Sequence, residues 1–402
     1  MPVLALAALA IALPRIELAG LAASRLSASL GRPVSIESLR VTPGRSLTVT
    51  ARGLRLDNIP GGTRPAMAEA ATVTTVLDPA TLLGGPITVR RLEVQGLRLL
   101  LERAEDGTRN WRFHAAGERA APGTADRSWF PALLDARIRD GEVVFRTGRG
   151  RALTTRIETG SVTAESPGGP VTLRAEGTHD DVPLRLEALL ESVLALRDAD
   201  HPYGTTLRFA SGDTTLTFEG TMTAPLDVDG ASGLLTLSAP APSPLPRFGG
   251  LRDDFDGALD VSGVLERQGD LWRLTGGEGA LDGGAFRVTL LQLREGSGGA
   301  PDAVTADLAF DRLDLNDLIG GAAEGEERQA DLPLSLDPAQ DPVVDLRLGI
   351  RDLTYARLRA TDLRLAGSLG PGKVEVERLE LTTSGARITA SGRAEGEGGP
   401  RA

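Results

Sequence analysis

The residues able to do chemistry are few and scattered. Three histidines, His114, His179 and His201, are the only imidazoles, and none stands at the i, i+4 spacing that lets one helix offer two rings to a metal. Each reads as a surface histidine. There is no cysteine, which removes thiolate ligands, disulfides and a thiol nucleophile together. No G-x-S-x-G elbow presents a serine, and Ser or Asp without a base beside it attacks nothing. Two near-motifs fail on their own residues. Gly367 to Lys373 has the glycines and lysine of a phosphate-binding loop, but Val374 replaces the magnesium-binding hydroxyl. Val374 to Leu381 also alternates as a strand where a helix must start, so a hairpin turn is expected. Asp253 to Gly257 has calcium-loop spacing, yet Arg252 takes the first ligand position and Gly263 the place of the bidentate Glu. Trp111, Trp129 and Trp272 have no reactive neighbours and read as core anchors. The expectation is a protein that is not an enzyme and uses no cofactor or metal.

What the chain does carry is period-two patterning. Val304, Ala306, Leu308 and Phe310 alternate with Thr305, Asp307 and Ala309; Val344, Leu346, Leu348 and Ile350 alternate with Asp345, Arg347 and Gly349. These eight apolar residues are the candidate lining of a groove. The same alternation runs through Val171, Leu173 and Ala175, through Leu259 and Val261, through Phe286, Val288 and Leu290, and through Val374 and Val376. Ser211 to Thr214 reads as a hairpin turn between Leu207-Phe209 and Leu216-Phe218, and Gly385 as another between Leu379-Leu381 and Ile388-Ala390. The 49 Gly and 25 Pro supply frequent turns, which suits many short strands. The simplest outcome is mostly β: an elongated, curled antiparallel meander, apolar on its concave face and charged on the other. Helices are expected at Glu17 to Leu30, with Leu18, Leu21, Ala22, Leu26 and Leu30 on one stripe, at Ser128 to Leu134, at Glu187 to Asp198, and as one turn at Leu315 to Ile319.

Composition narrows the partner. A formal net charge of -11 argues against nucleic acid, which needs a basic face, and an acidic body is repelled by anionic headgroups. Aromatics are 3% of residues, so buried faces are filled by Leu, Val and Ala, a smooth and unselective surface. Pro2 to Leu13 is apolar and uncharged but shorter than the roughly 20 residues of a spanning helix. It reads as the remnant of an uncleaved anchor, a signal peptide, or an interfacial or core helix, and the amphipathic segment that follows favours the anchor. Division is expected into an anchor and helix (1–30), a first β region (31–125) and a continuing β-groove region (126–402), with a weaker boundary near 240–250.

The order of these pieces resembles the AsmA family. The resemblance is carried by GRPVSIESLRV from Gly31, by Asp57-Asn58, by Asp106-Gly107 and Asn110-Trp111, by Gly212 to Leu245, and by Leu379 to Arg393. It implies a bacterial inner-membrane protein whose β body lies in the periplasm and serves envelope biogenesis. Its apolar groove would carry or shield phospholipid acyl chains between inner and outer membrane. The alternative is a non-enzymatic modulator of outer-membrane protein targeting or assembly, with outer-membrane assembly proteins as partners.

Overall fold

A computed structural model describes residues 15–83, 87–104, 108–111, 127, 130–146, 152–241, 257–296, 300–316, 336, 342–356 and 358–396. Most of these are in strands, and helices are few. The chain divides into two compact units, Met1–Gly212 with Glu219–Asp229, and Asp213–Phe218 with Gly230–Ala402.

The first unit opens with α1 (Arg15–Leu30), which lies on β1 (Val34–Thr42) and β2 (Leu47–Asp57). Leu18, Ala19 and Ala22 meet Ile36, Leu39, Val41, Val49 and Ala51 there. The helical stripe expected from the sequence is therefore split. Small residues one turn apart let the helix sit close to the sheet, and Leu21 and Leu26 are left exposed. Ser27 Oγ accepts from the Val34 amide and donates to the Ala23 carbonyl, joining the end of the helix to the first strand.

The sheet continues through β3 (Ala66–Leu77), β4 (Thr88–Glu102), the short β5 (Ala132–Leu133), β6 (Asp135–Arg146), β7 (Ala152–Ala164), β8 (Val171–His179), β9 (Val182–Leu190) and β10 (Tyr203–Ser211). Neighbours are antiparallel with one exception: β4 runs parallel to β5 and β6. The pure meander expectation fails here, because parallel neighbours need a crossover of a dozen or more residues, and residues 103–134 supply it. The expected helix at 128–134 is displaced at its described end. The amides of Ala132 and Leu134 bond the carbonyls of Ile87 and Val89, which draws Ala132–Leu133 onto the sheet. The helix expected over 187–198 shrinks to α2 (Val193–Leu196), capped by Ser192, because 187–190 complete β9.

On the charged face the register makes an alternating row, Arg55, Glu69, Arg98, Glu142 and Arg156, one residue on each of β2, β3, β4, β6 and β7. Each opposed pair is worth roughly 0.2–1 kcal/mol, and a one-residue slip would lose them all. At the end of β4, a buried polar node ties two turns together. Asn110 is fully buried; its Oδ1 accepts from the Glu102 amide at 2.9 Å, and its Nδ2 donates to Asn58 Oδ1 at 3.0 Å and to the Leu100 carbonyl at 2.9 Å. The Glu102 carboxylate accepts from Asn58 Nδ2 and from the amide and hydroxyl of Thr63. A Cβ on Gly62 would run into both Asn58 and Glu102. Asn58 and Asn110, picked out separately in the sequence, thus share one hydrogen-bonded site. Asp106-Gly107 lies outside the described residues.

β10 ends at Ser211 and β11 (Thr214–Ala224) begins after Gly212, whose φ of 55° supplies the left-handed turn. The second unit is built from β12 (Asp229–Ala239), β13 (Leu259–Gln268), β14 (Leu271–Leu281), β15 (Gly284–Arg294), β16 (Ala303–Asp314), β17 (Val343–Tyr355), β18 (Leu358–Gly370), β19 (Lys373–Thr383) and β20 (Ala386–Glu395). Successive strands pair antiparallel except β16 and β17, which are parallel across residues 315–342. The expected turns hold: Gly370 pairs with Lys373 where the phosphate-loop look-alike stands, and Leu381 pairs with Ile388 around Ser384-Gly385. Of the turn expected at 315–319, Leu315 and Asn316 are helical and the rest lies outside the described residues.

Candidate functional site

The eight candidate groove residues come together on one face of the parallel pair. Val304 stands opposite Val344, Ala306 opposite Leu346, Leu308 opposite Leu348 and Phe310 opposite Ile350. Alternation sends Thr305 and Asp307 to the other face, where they oppose Asp345 and Arg347. The crossover matters for this match. In a parallel pair the two strands run apolar-polar in the same direction, so two similar sequences align in phase over their whole length.

The face extends across the neighbours. On β18, Leu369, Leu365 and Leu363 oppose Val344, Leu348 and Ile350. On β15, Phe286 and Val288 oppose Phe310 and Leu308, with the Phe286 and Phe310 rings stacked at 5.1 Å. A bulge then shifts the register between Val288 and Leu290. It corrects one expectation: Leu290 opposes Asp307 and falls on the charged face, while Leu291 and Leu293 take the apolar one beside Ala306 and Val304. The adjacent Leu290-Leu291 was the signal in the sequence, since two successive leucines cannot both obey a period of two.

Burial changes along the strands. At one end Leu313, Ile350, Leu353, Ala360 and Leu363 form a buried cluster, with Phe310, Leu348 and Leu365 packed against it; Ile350 is 4% exposed. At the other end Leu291 and Leu293 are 40% and 36% exposed. The register carries this open end as one row through Trp272, Leu293, Val304, Val344, Leu369, Val374 and Ala394. Trp272 bounds the row. Its Nε1 donates to Glu295 Oε1 at 2.8 Å, and the Arg267 guanidinium lies 4.4 Å over its ring. Chemically, such a face can do one thing: withdraw hydrocarbon from water, by about 25 cal/mol per Å² of apolar area and without regard to chain length.

The polar candidates do not converge. His114, Trp129 and the Asp253 loop lie outside the described residues. His179 is partly buried rather than at the surface, its Nδ1 2.8 Å from Thr155 Oγ1, because it ends β8 opposite β7. His201 Nε2 meets Glu191 Oε2 at 2.9 Å on an exposed turn. Nearby Tyr203 is buried and donates to the Glu191 carbonyl at 2.6 Å; burial, with Glu191 adding its negative charge, pushes its hydroxyl up to about 12. Trp111 packs against Phe145 at 5.8 Å. No cluster of three metal-ligating side chains occurs among the described residues. No protein-family model, no curated protein and no solved structure matches this chain.

Proposed function

We propose that this is an AsmA-like envelope protein whose second unit shields phospholipid acyl chains on the apolar face of β15 to β18, as part of moving lipid between inner and outer membrane. In this reading the N-terminal region anchors the chain in the inner membrane and the β body faces the periplasm. The observation that carries the proposal is that face: eight residues in register, joined to a buried cluster at Ile350 and flanked toward the other end by exposed Leu291 and Leu293. Exposed leucines are a cost in water unless something apolar covers them. Each methylene laid against them gains up to about 0.8 kcal/mol, which gives affinity for a chain without selecting its length. Among the described residues no helix is long and apolar enough to cross a membrane, and Pro2 to Leu13 lies outside them.

A second reading, a modulator of outer-membrane protein targeting or assembly, draws on β20. Nearly all its residues are exposed and, among the described residues, β19 is its one partner, so its outer edge can accept an added strand. One experiment separates the two. A photo-crosslinking amino acid is placed at Leu293 on the apolar face, at Gln292 on the other face, and at Thr389 on β20, in the full chain in bacteria. Lipid adducts at 293 and not at 292 are expected. Protein adducts at 389 with no lipid at 293 would replace the first reading by the second.

A further inference from the structure

The charged face of the first unit has a depression of about 310 Å³ over β6 to β9, and its chemistry differs from that of the rest of the face. Its floor is Thr159, Gly160 and Ser161, small residues that leave room above the sheet. Around it stand Arg137, Arg139, Arg174 and Arg185. The register sets Ser161 directly between Arg137 and Arg174, and Thr159 between Arg139 and Glu176. In the row from Arg55 to Arg156 every arginine faces a carboxylate across the strand. Here Arg137, Arg174 and Arg185 each oppose a carboxylate on one neighbouring strand, Glu93, Glu187 and Glu176, whereas Arg139 opposes Gln95 and Thr159 and faces none.

Two carboxylates line the depression, and both face arginines already: Glu176 Oε1 lies 2.9 Å from Arg185 Nε, and Glu187 Oε1 lies 3.8 Å from Arg174 Nε. Asp135, just outside, pairs with Arg137 at 3.1 Å and lies 3.5 Å from Arg91. Arg139 is exposed and has no ion pair or hydrogen bond among the described residues, and neither the Thr159 nor the Ser161 hydroxyl has a hydrogen-bond partner there. Thr159 and Ser161, two residues apart on one strand, present their hydroxyls on the same side, roughly 7 Å from each other. A guanidinium fork and two hydroxyls line one hollow with no hydrogen-bond partner among the described residues, in a chain whose overall charge is negative.

We infer that this hollow binds a phosphoryl oxyanion, held by Arg139, Thr159 and Ser161 with Arg137 and Arg174 flanking. A tetrahedral oxyanion accepts from several directions at once, which suits donors spread over two strands. The phosphoryl group belongs either to a soluble phosphate or to a lipid headgroup. The site stands independently of the apolar face.

The test uses the full chain at low ionic strength in two arms: calorimetric titration with inorganic phosphate, and flotation with phosphatidylcholine vesicles with and without phosphatidylglycerol. Saturable phosphate binding is expected, weakened roughly tenfold or more by Arg139→Gln, as befits a lost charge-assisted hydrogen bond. Ser161→Ala should weaken it less. Arg156→Gln, which removes an arginine already paired with Asp181, should leave it unchanged. Phosphate binding without flotation assigns a soluble oxyanion; flotation that needs phosphatidylglycerol and is lost in Arg139→Gln assigns the headgroup. No binding in either arm, or binding indifferent to Arg139→Gln in a variant with wild-type circular dichroism, overturns the inference.

Discussion

Replacing Leu293 by Asp and, separately, Ile350 by Asp puts the same charge at the two ends of one apolar face. Full burial of a leucine is worth about 1.5–3 kcal/mol, and Leu293 keeps 36% of its surface in water, so its loss costs roughly 1–2 kcal/mol. A carboxylate there reaches solvent and adds little further penalty. Ile350, at 4% exposure inside the Leu313, Leu353, Ala360 and Leu363 cluster, loses nearly its whole burial and strands an unpaired charge. The sum is about 5 kcal/mol or more. For a unit of this size each kcal/mol moves the melting temperature by roughly 2–4 °C. Leu293→Asp should therefore melt within about 8 °C of wild type, while Ile350→Asp should fall by more than about 10 °C or fail to fold. Thermal scans by circular dichroism measure both, and extraction of co-purified lipid from Leu293→Asp measures the acyl path. A Leu293→Asp protein as unstable as Ile350→Asp would mean that the exposed end is packed core. A stable Leu293→Asp with undiminished lipid would mean that hydrocarbon does not lie on this face.

Two more outcomes follow from polar contacts. Asn110→Ala takes the side-chain partner from the Leu100 carbonyl and the Glu102 amide in a buried site, and leaves Asn58 Oδ1 only the Ile59 amide; the expected loss is ~3 kcal/mol or more in a urea melt, and a loss under ~1 kcal/mol would show that water repairs the node. Tyr203 has a folded pKa of about 12 against an ordinary value of 10, so between those values the unfolded chain gives up its proton first and stability falls as pH rises. That fall, at most ~3 kcal/mol, should be absent in Tyr203→Phe when stability is measured from pH 9 to 12.

Much of the strand content was readable because alternation needs no knowledge of neighbours. Val304 to Phe310 and Val344 to Ile350 declare their faces from period two alone, and Gly212 and Gly385 declare their turns. What could not be read is pairing. Nothing local says that β16 lies parallel to β17 or β4 to β6, since direction is set by where a crossover returns the chain. The bulge that exchanges Leu290 for Leu291 was legible only as a broken rhythm. The sequence suggests a helix over 187–198 because Leu189, Leu190 and Val193 fit a helical spacing as well as a strand end, and the sheet decides between them. Glu102 went unnoticed because a single carboxylate gains meaning only from Asn58 and Thr63, about forty residues away in the chain.

The two parallel joints bear on how the chain assembles in time. Hairpins such as β18–β19 close over two-residue turns, whereas joining β4 to β6, or β16 to β17, closes a loop of ~30 residues, an added entropy cost of roughly 2 kcal/mol. Blocks of consecutive hairpins therefore form early and locally, as the chain leaves the ribosome, and the parallel seams knit later. Each seam is then the natural line of first opening, and amide hydrogens along β16 and β17 should exchange together, ahead of those between β17 and β18.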